Sequence, residues 1–203
     1  MQIIDVLGTR LALVTDDLVS YHKTAADYSL EMAPTSSSNE IASLGNKIHG
    51  SIPESLVSLF REQGGFSNTG FDTCLEQAIQ VFSAKKLLER AIGLVAFIDE
   101  FWGGRPEFTE SYKEGEIAQL NHSYTVFGVR VVNDDSHDFF YFDTTGNFGS
   151  VFLNQNDFET AAKESFSPML EKSPANMNLE ELLSQQIGKI CSGLDEMERY
   201  YAE

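Results

Sequence analysis

The sequence predicts an α+β domain with a central antiparallel β-sheet flanked by helices. Three observations carry that expectation. Between Tyr124 and Leu153, aromatic and β-branched runs alternate with tight polar turns, the pattern of a strand meander. Apolar residues recur at helical spacing after Pro53 and again from Leu179 onward. A length of 203 residues with 42% hydrophobic content and 15 Phe supplies a core for one medium domain without disulfides.

The elements follow in order. Residues 2–15, rich in Ile, Leu and Val, read as one or two short strands around Gly8, and Asp16 to Met32 is ambiguous between helix and strand. Ala33 to Ser38 is a polar loop ending in an N-cap residue, and Ile41, Leu44 and Ile48 mark a short helix that stops near Gly50. Pro53 suits a first helical position, and Glu54 suits the positive end of the helix dipole. Leu56, Leu59 and Phe60 give that helix its apolar face, and Gly64-Gly65 ends it. Residues 74–102 read as helical, with the second half apolar on most sides and stopped by Gly103-Gly104-Arg105-Pro106.

The meander comprises Tyr124–Val129, Asp138–Asp143 and Ser150–Leu153, with turns at Asn133–His137 and Thr144–Gly149. A last helix runs from Leu179 to about Tyr201. Asn178 with Glu181 three residues on forms a capping box, and Leu182, Leu183, Ile187, Ile190 and Leu194 form a stripe. Barely three heptads fit, so packing on the same domain is favoured over a coiled coil.

Charge bounds the function classes. Acidic residues number 31 against 14 basic ones, a net charge of −17. Such a field repels nucleic acid phosphates and anionic lipid, so no direct nucleic acid or membrane ligand is expected. It favours a basic partner, or serves solubility alone. Cys74 and Cys191 have neither pair spacing nor a nearby histidine, which suits free thiols in a reducing cytoplasm better than a zinc or redox site. Met1–Asp5 lacks the basic flank and apolar run of a secretory signal, and Ala91–Phe101 is too short to span a bilayer. A cytoplasmic location is expected.

Two stretches carry a resemblance. Ile52-Pro53-Glu54-Ser55-Leu56 through Phe60-Arg61-Glu62-Gln63-Gly64-Gly65 forms one. Phe139-Phe140-Tyr141-Phe142-Asp143, followed by Gly149-Ser150-Val151-Phe152 and a helix from Asp157-Phe158, forms the other. Their order resembles the SUKH superfamily, which includes fungal cell-wall synthesis regulators and many bacterial immunity proteins. The resemblance covers residues 38–170 as a SUKH-like core of a single domain spanning 1–203. Residues 1–37 form an extension without counterpart, and 171–203 add a C-terminal helix. It implies a binding protein, often one that neutralises a toxin.

Catalytic chemistry finds less support. Gly64-Gly65 and Gly103-Gly104 lack the Lys-Ser/Thr of a phosphate loop, and no Gly-x-Ser-x-Gly elbow occurs. His22, His49, His122 and His137 form no i,i+4 pair, so no metal or other cofactor is expected. The best local constellation is Asp134-Asp135-Ser136-His137-Asp138. It could be a calcium loop, but it lacks the glycine and terminal glutamate of an EF-hand. It could hold an acid–base pair in Asp135 and His137, a partner contact, or a plain hairpin turn stabilised by Asn and Asp side chains.

From Asn133 to Glu159 the chain has no Lys or Arg. Asp134, Asp135, His137, Asp138, Asp143, Asp157 and Glu159 are therefore candidate partner-binding residues, offering negative potential to a basic substrate groove. Trp102, the single tryptophan, is either an interface anchor or a core residue. The expectation is an immunity-type, non-enzymatic protein that blocks the active or substrate-binding surface of a cognate toxin. A regulatory scaffold of the same fold is the first alternative, and a small hydrolase using Asp135, His137 or Asp143 the second.

Overall fold

A computed structural model describes residues 2–14, 29–68, 77–104, 112–156 and 158–202. Along these the elements are α1 (Gln2–Leu11), β1 (Leu30–Met32), α2 (Ser38–Lys47), α3 (Glu54–Glu62), β2 (Phe66–Asn68), β3 (Ala78–Val81), α4 (Ala84–Leu88) and α5 (Leu94–Phe101). They continue with α6 (Glu114–Ser123), β4 (Tyr124–Asn133), β5 (Ser136–Asp143), β6 (Phe148–Asn154), α7 (Phe158–Glu171) and α8 (Leu179–Ala202). The fold is α+β, as the sequence predicts. The six described strands form one antiparallel sheet in the order β1-β2-β3-β4-β5-β6.

The meander is longer than its sequence signal. β4 and β5 are buried along almost their whole length, so both faces of the sheet need cover. On one face α5 brings Phe97, Phe101 and Trp102 against Phe139, and Phe166 and Met169 of α7 are buried nearby. On the other face α8 lies against β6 and carries α1 on its flank. Leu182, Leu183, Ile187, Ile190 and Leu194 are buried, so the heptad-like stripe of α8 packs within the domain. Its capping box is intact: Asn178 N–H donates to Glu181 and Glu181 N–H donates to the Asn178 side chain.

Other expected features also hold. The N-cap of α2 is Ser37, one place before the expected end of the loop, in a reciprocal capping box with Glu40. Pro53 takes the N-cap of α3, one place earlier than expected, and Gly64 and Gly65 turn the chain with φ of 73° and 143°. A side chain at Gly65 would meet the Val81 carbonyl at 2.5 Å, so the turn needs glycine for space as well as for φ.

Two expectations are corrected. Residues 2–11 form helix α1, not strands: Ile4, Leu7 and Leu11 are buried at helical spacing. In its described part, 77–102, the long helix expected over 74–102 is strand β3 followed by two short helices. Ala78, Ile79 and Phe82 satisfied a helical period, but pairing with β4 claims 78–81 for the sheet. Residues 15–28, most of the ambiguous 16–32 segment, lie outside the described residues, as does Cys74.

A bulge at Phe127 interrupts the β4–β5 register between Val126 and Gly128. Phe127 packs on Phe148 with ring centroids 5.5 Å apart. Beside it, a Cβ on Gly128 would sit 2.7 Å from the Phe140 ring and 2.8 Å from the Gln80 carbonyl. Gly128→Ala is therefore expected to destabilise the fold by about 1–3 kcal/mol through overpacking, read from the midpoint of urea unfolding.

Candidate functional site

The Asn133–Ser136 turn stands at one end of the sheet. Asn133 and Ser136 pair across it after a second register shift, and the Asn133 side chain accepts from Asp135 N–H at 3.1 Å. Asn and Asp hold such turns through their own side chains. Asp134 at the tip is exposed and Asp135 is half-buried. The next strand end is tied on: Gln155 N–H donates to the Asp135 carbonyl at 2.6 Å, and Asn154 donates to the Ser136 hydroxyl at 3.0 Å.

Behind the turn, His137 is only 2% exposed. Its Nδ1 accepts a long bond from Trp102 Nε1 at 3.4 Å, and the rings of Phe101 and Phe139 lie at 5.1 and 5.9 Å. Nε2 makes no hydrogen bond. Burial in this aromatic nest pulls the imidazole down to about 4, and the nearby Asp135 charge opposes that only in part.

Asp138 points to the opposite face. It pairs directly with Arg130, whose Nη2 and Nε donate to one carboxylate oxygen at 2.6 and 3.0 Å, with side chains 8% and 3% exposed. Lys189 of α8 reaches the same oxygen at 3.4 Å. Arg130 Nη1 donates to the Gln77 side-chain oxygen at 3.2 Å. Gln77 lies against Gly193, where a Cβ would come within 2.5 Å of its amide, so α8 closes over the network only because position 193 is glycine.

At the far end of β5, Asp143 is also buried. Its carboxylate accepts from the Ser173 and Thr145 hydroxyls, each at 2.6 Å, and from Thr145 and Asn147 N–H. Burial raises its pKa, but these donors outweigh that and leave the net shift downward. A polar cleft of about 210 Å³ opens there, lined by Gln119, Tyr124, Thr145, Lys172 and Ser173 among others. Each donor to Asp143 pins the 143–147 turn or the 173 loop, which is structural work.

The expected partner surface is thus reduced. His137, Asp138, Asp143 and Trp102 are buried and offer no carboxylate, imidazole or indole face for a partner to cover. Asp134 and Asp135 alone of the described candidates reach solvent. Asp157 lies outside the described residues, and Glu159 falls in α7 with its side chain undescribed. The stretch without bases is not without bases in space, because Arg130 and Lys189 neutralise Asp138. His137 and Asp143 stand six residues apart on one strand, roughly 20 Å, so they form no shared acid–base set. No group of three or more metal-ligating side chains occurs among the described residues. No family model, curated protein or solved structure matches the chain.

Sequence reasoning missed Arg130, Lys189 and Gln77. The available signal was Arg130 within the apolar run Val126–Val132 and Asp138 opening the next one, since charges inside buried strands need partners.

Two outcomes are expected. Asp138→Ala strands the buried Arg130 charge and should cost about 3–5 kcal/mol, whereas Arg130→Met with Asp138→Leu should recover most of it, measured by urea unfolding. Between pH 6.5 and about 4 the unfolded chain binds a proton at position 137 that the folded chain resists. Stability should therefore be full above pH 6.5 and fall by about 3 kcal/mol on descent through that window. His137→Phe should flatten the slope there. The downward-shifted Asp143 acts only below its ordinary 3.8, so the two effects separate.

Proposed function

We propose that this chain is a SUKH-like, immunity-type protein of the cytoplasm that binds a cognate toxin and blocks its active or substrate-binding surface. The observation that carries the reading is the exposed Asp134 with half-buried Asp135 on a turn tied to the end of the neighbouring strand β6. A turn whose backbone is held this way keeps its position on association and loses little conformational freedom. On a chain of net charge −17 it presents negative potential to a basic groove and speeds encounter. The resemblance in Ile52–Gly65 and Phe139–Phe152 supplies the toxin as the class of partner. No helix among the described residues is long and apolar enough to cross a membrane.

Co-expression with the product of the adjacent gene tests the reading. Restored growth together with a stable complex is the expected result, and absence of both would sink it. In that complex, Asp134→Lys with Asp135→Lys should slow association about tenfold or more at low ionic strength, with most of the difference gone in about 0.5 M salt. The dissociation rate should move less. Stopped-flow mixing at several salt concentrations reads both.

A further inference from the structure

We propose that the outer edge of β6 receives an extended segment of a basic partner protein as an added antiparallel strand. β6 ends the sheet. At Phe148 its outward backbone groups are already paired, N–H to the Met177 carbonyl at 2.9 Å and carbonyl to Met177 N–H at 3.2 Å. Antiparallel strands alternate the side on which their backbone bonds. Ser150, Phe152 and Asn154 therefore turn their N–H and C=O groups outward too, and among the described residues no backbone partner meets them there. Met177 begins a strand addition that the described residues do not continue.

Edges of this kind are normally blunted by charge, proline or shortness. β1, at the other end of the sheet, is three residues long with Glu31 at its centre. β6 has seven residues, Phe148–Asn154, without a charge or a proline. Phe152 is 51% exposed, between the buried Val151 and Leu153. It shares a face with Asp138, its register partner, so an added residue opposite Phe152 would pack on its ring.

Charge selects the occupant. The Asn154 end of the edge adjoins the Asp134–Asp135 turn through Asn154–Ser136 and Gln155–Asp135. An antiparallel strand starts at that end, so basic side chains belong at its N-terminal side, followed by alternating apolar residues. A second copy of this chain would bring its own −17 to the same edge and is disfavoured. Five residues, Ser150–Asn154, remain for pairing, a length of roughly 16 Å. The inference rests on the protein-binding reading above only for the partner's charge.

The test uses the full chain and the heptapeptide Lys-Lys-Val-Thr-Val-Thr-Val, with amide exchange followed by NMR. At saturating peptide, the Ser150, Phe152 and Asn154 amides should exchange about tenfold more slowly. The reversed peptide Val-Thr-Val-Thr-Val-Lys-Lys should protect them less. Phe152→Pro removes an outward N–H without touching the β5 ladder, and Phe152→Lys leaves the backbone whole; both should abolish protection while far-UV dichroism and Tm stay near wild type. No protection in the wild type, equal protection by the reversed peptide, or protection surviving in both variants overturns the proposal. Protection that rises with protein concentration without peptide also overturns it, in favour of a second copy. Failed toxin rescue with peptide protection intact removes the immunity reading and leaves the edge standing. Rescue unchanged in both Phe152 variants, without peptide protection, removes only the edge.

Discussion

The pairing of β4 with β5, covered on both faces, is the constraint on which the rest of the molecule depends. Two neighbouring strands with almost every side chain buried cannot sit on the outside of a two-layer fold. They require helices above and below, and α5 with α7 on one side and α8 with α1 on the other supply them. The same burial sets the chemistry between the layers. Arg130 and Asp138 face each other across the pair, where an isolated charge would be costly, so they neutralise each other and draw in Gln77 and Lys189.

That network joins distant parts of the chain. Gln77 comes from the turn just before β3, Arg130 and Asp138 from the sheet centre, and Lys189 from the last helix. Gly193 lets α8 approach closely enough for Lys189 to contribute. On the opposite face the aromatic nest of Phe97, Phe101, Trp102, His137 and Phe139 does similar work by packing, with ring centroids 5.1 to 6.2 Å apart for the pairs in contact. The candidates that looked most like a site in sequence are thereby consumed by structure. What faces outward is the tip of the β4–β5 turn and the adjoining edge of β6, one charged and one largely apolar.

Much of the fold is legible in residues that act locally. Asn178 with Glu181 announces a helix start because a cap is a contact between near neighbours. The aromatic, β-branched runs of 124–153 announce the meander because tight turns force sequential strands to pair. The same local rules misread Ala78–Val81, where a helical spacing of apolar residues coincided with a vacant partner position beside β4. They misread Gln2–Leu11 as well, where the burial of Ile4, Leu7 and Leu11 needs α8 and the sheet to be in place.

By itself the sequence determined the α+β class, the three-strand meander, the capped helices and the strongly acidic balance, all of which depend on composition or on residues close along the chain. Which carboxylates remain available was decided only by tertiary structure. Asp134 and Asp138 are four positions apart in one acidic run, yet the turn exposes the first and the strand turns the second under α8 onto Arg130. Burial and pairing are properties of surfaces that meet across long separations, and charge counted along a chain does not contain them.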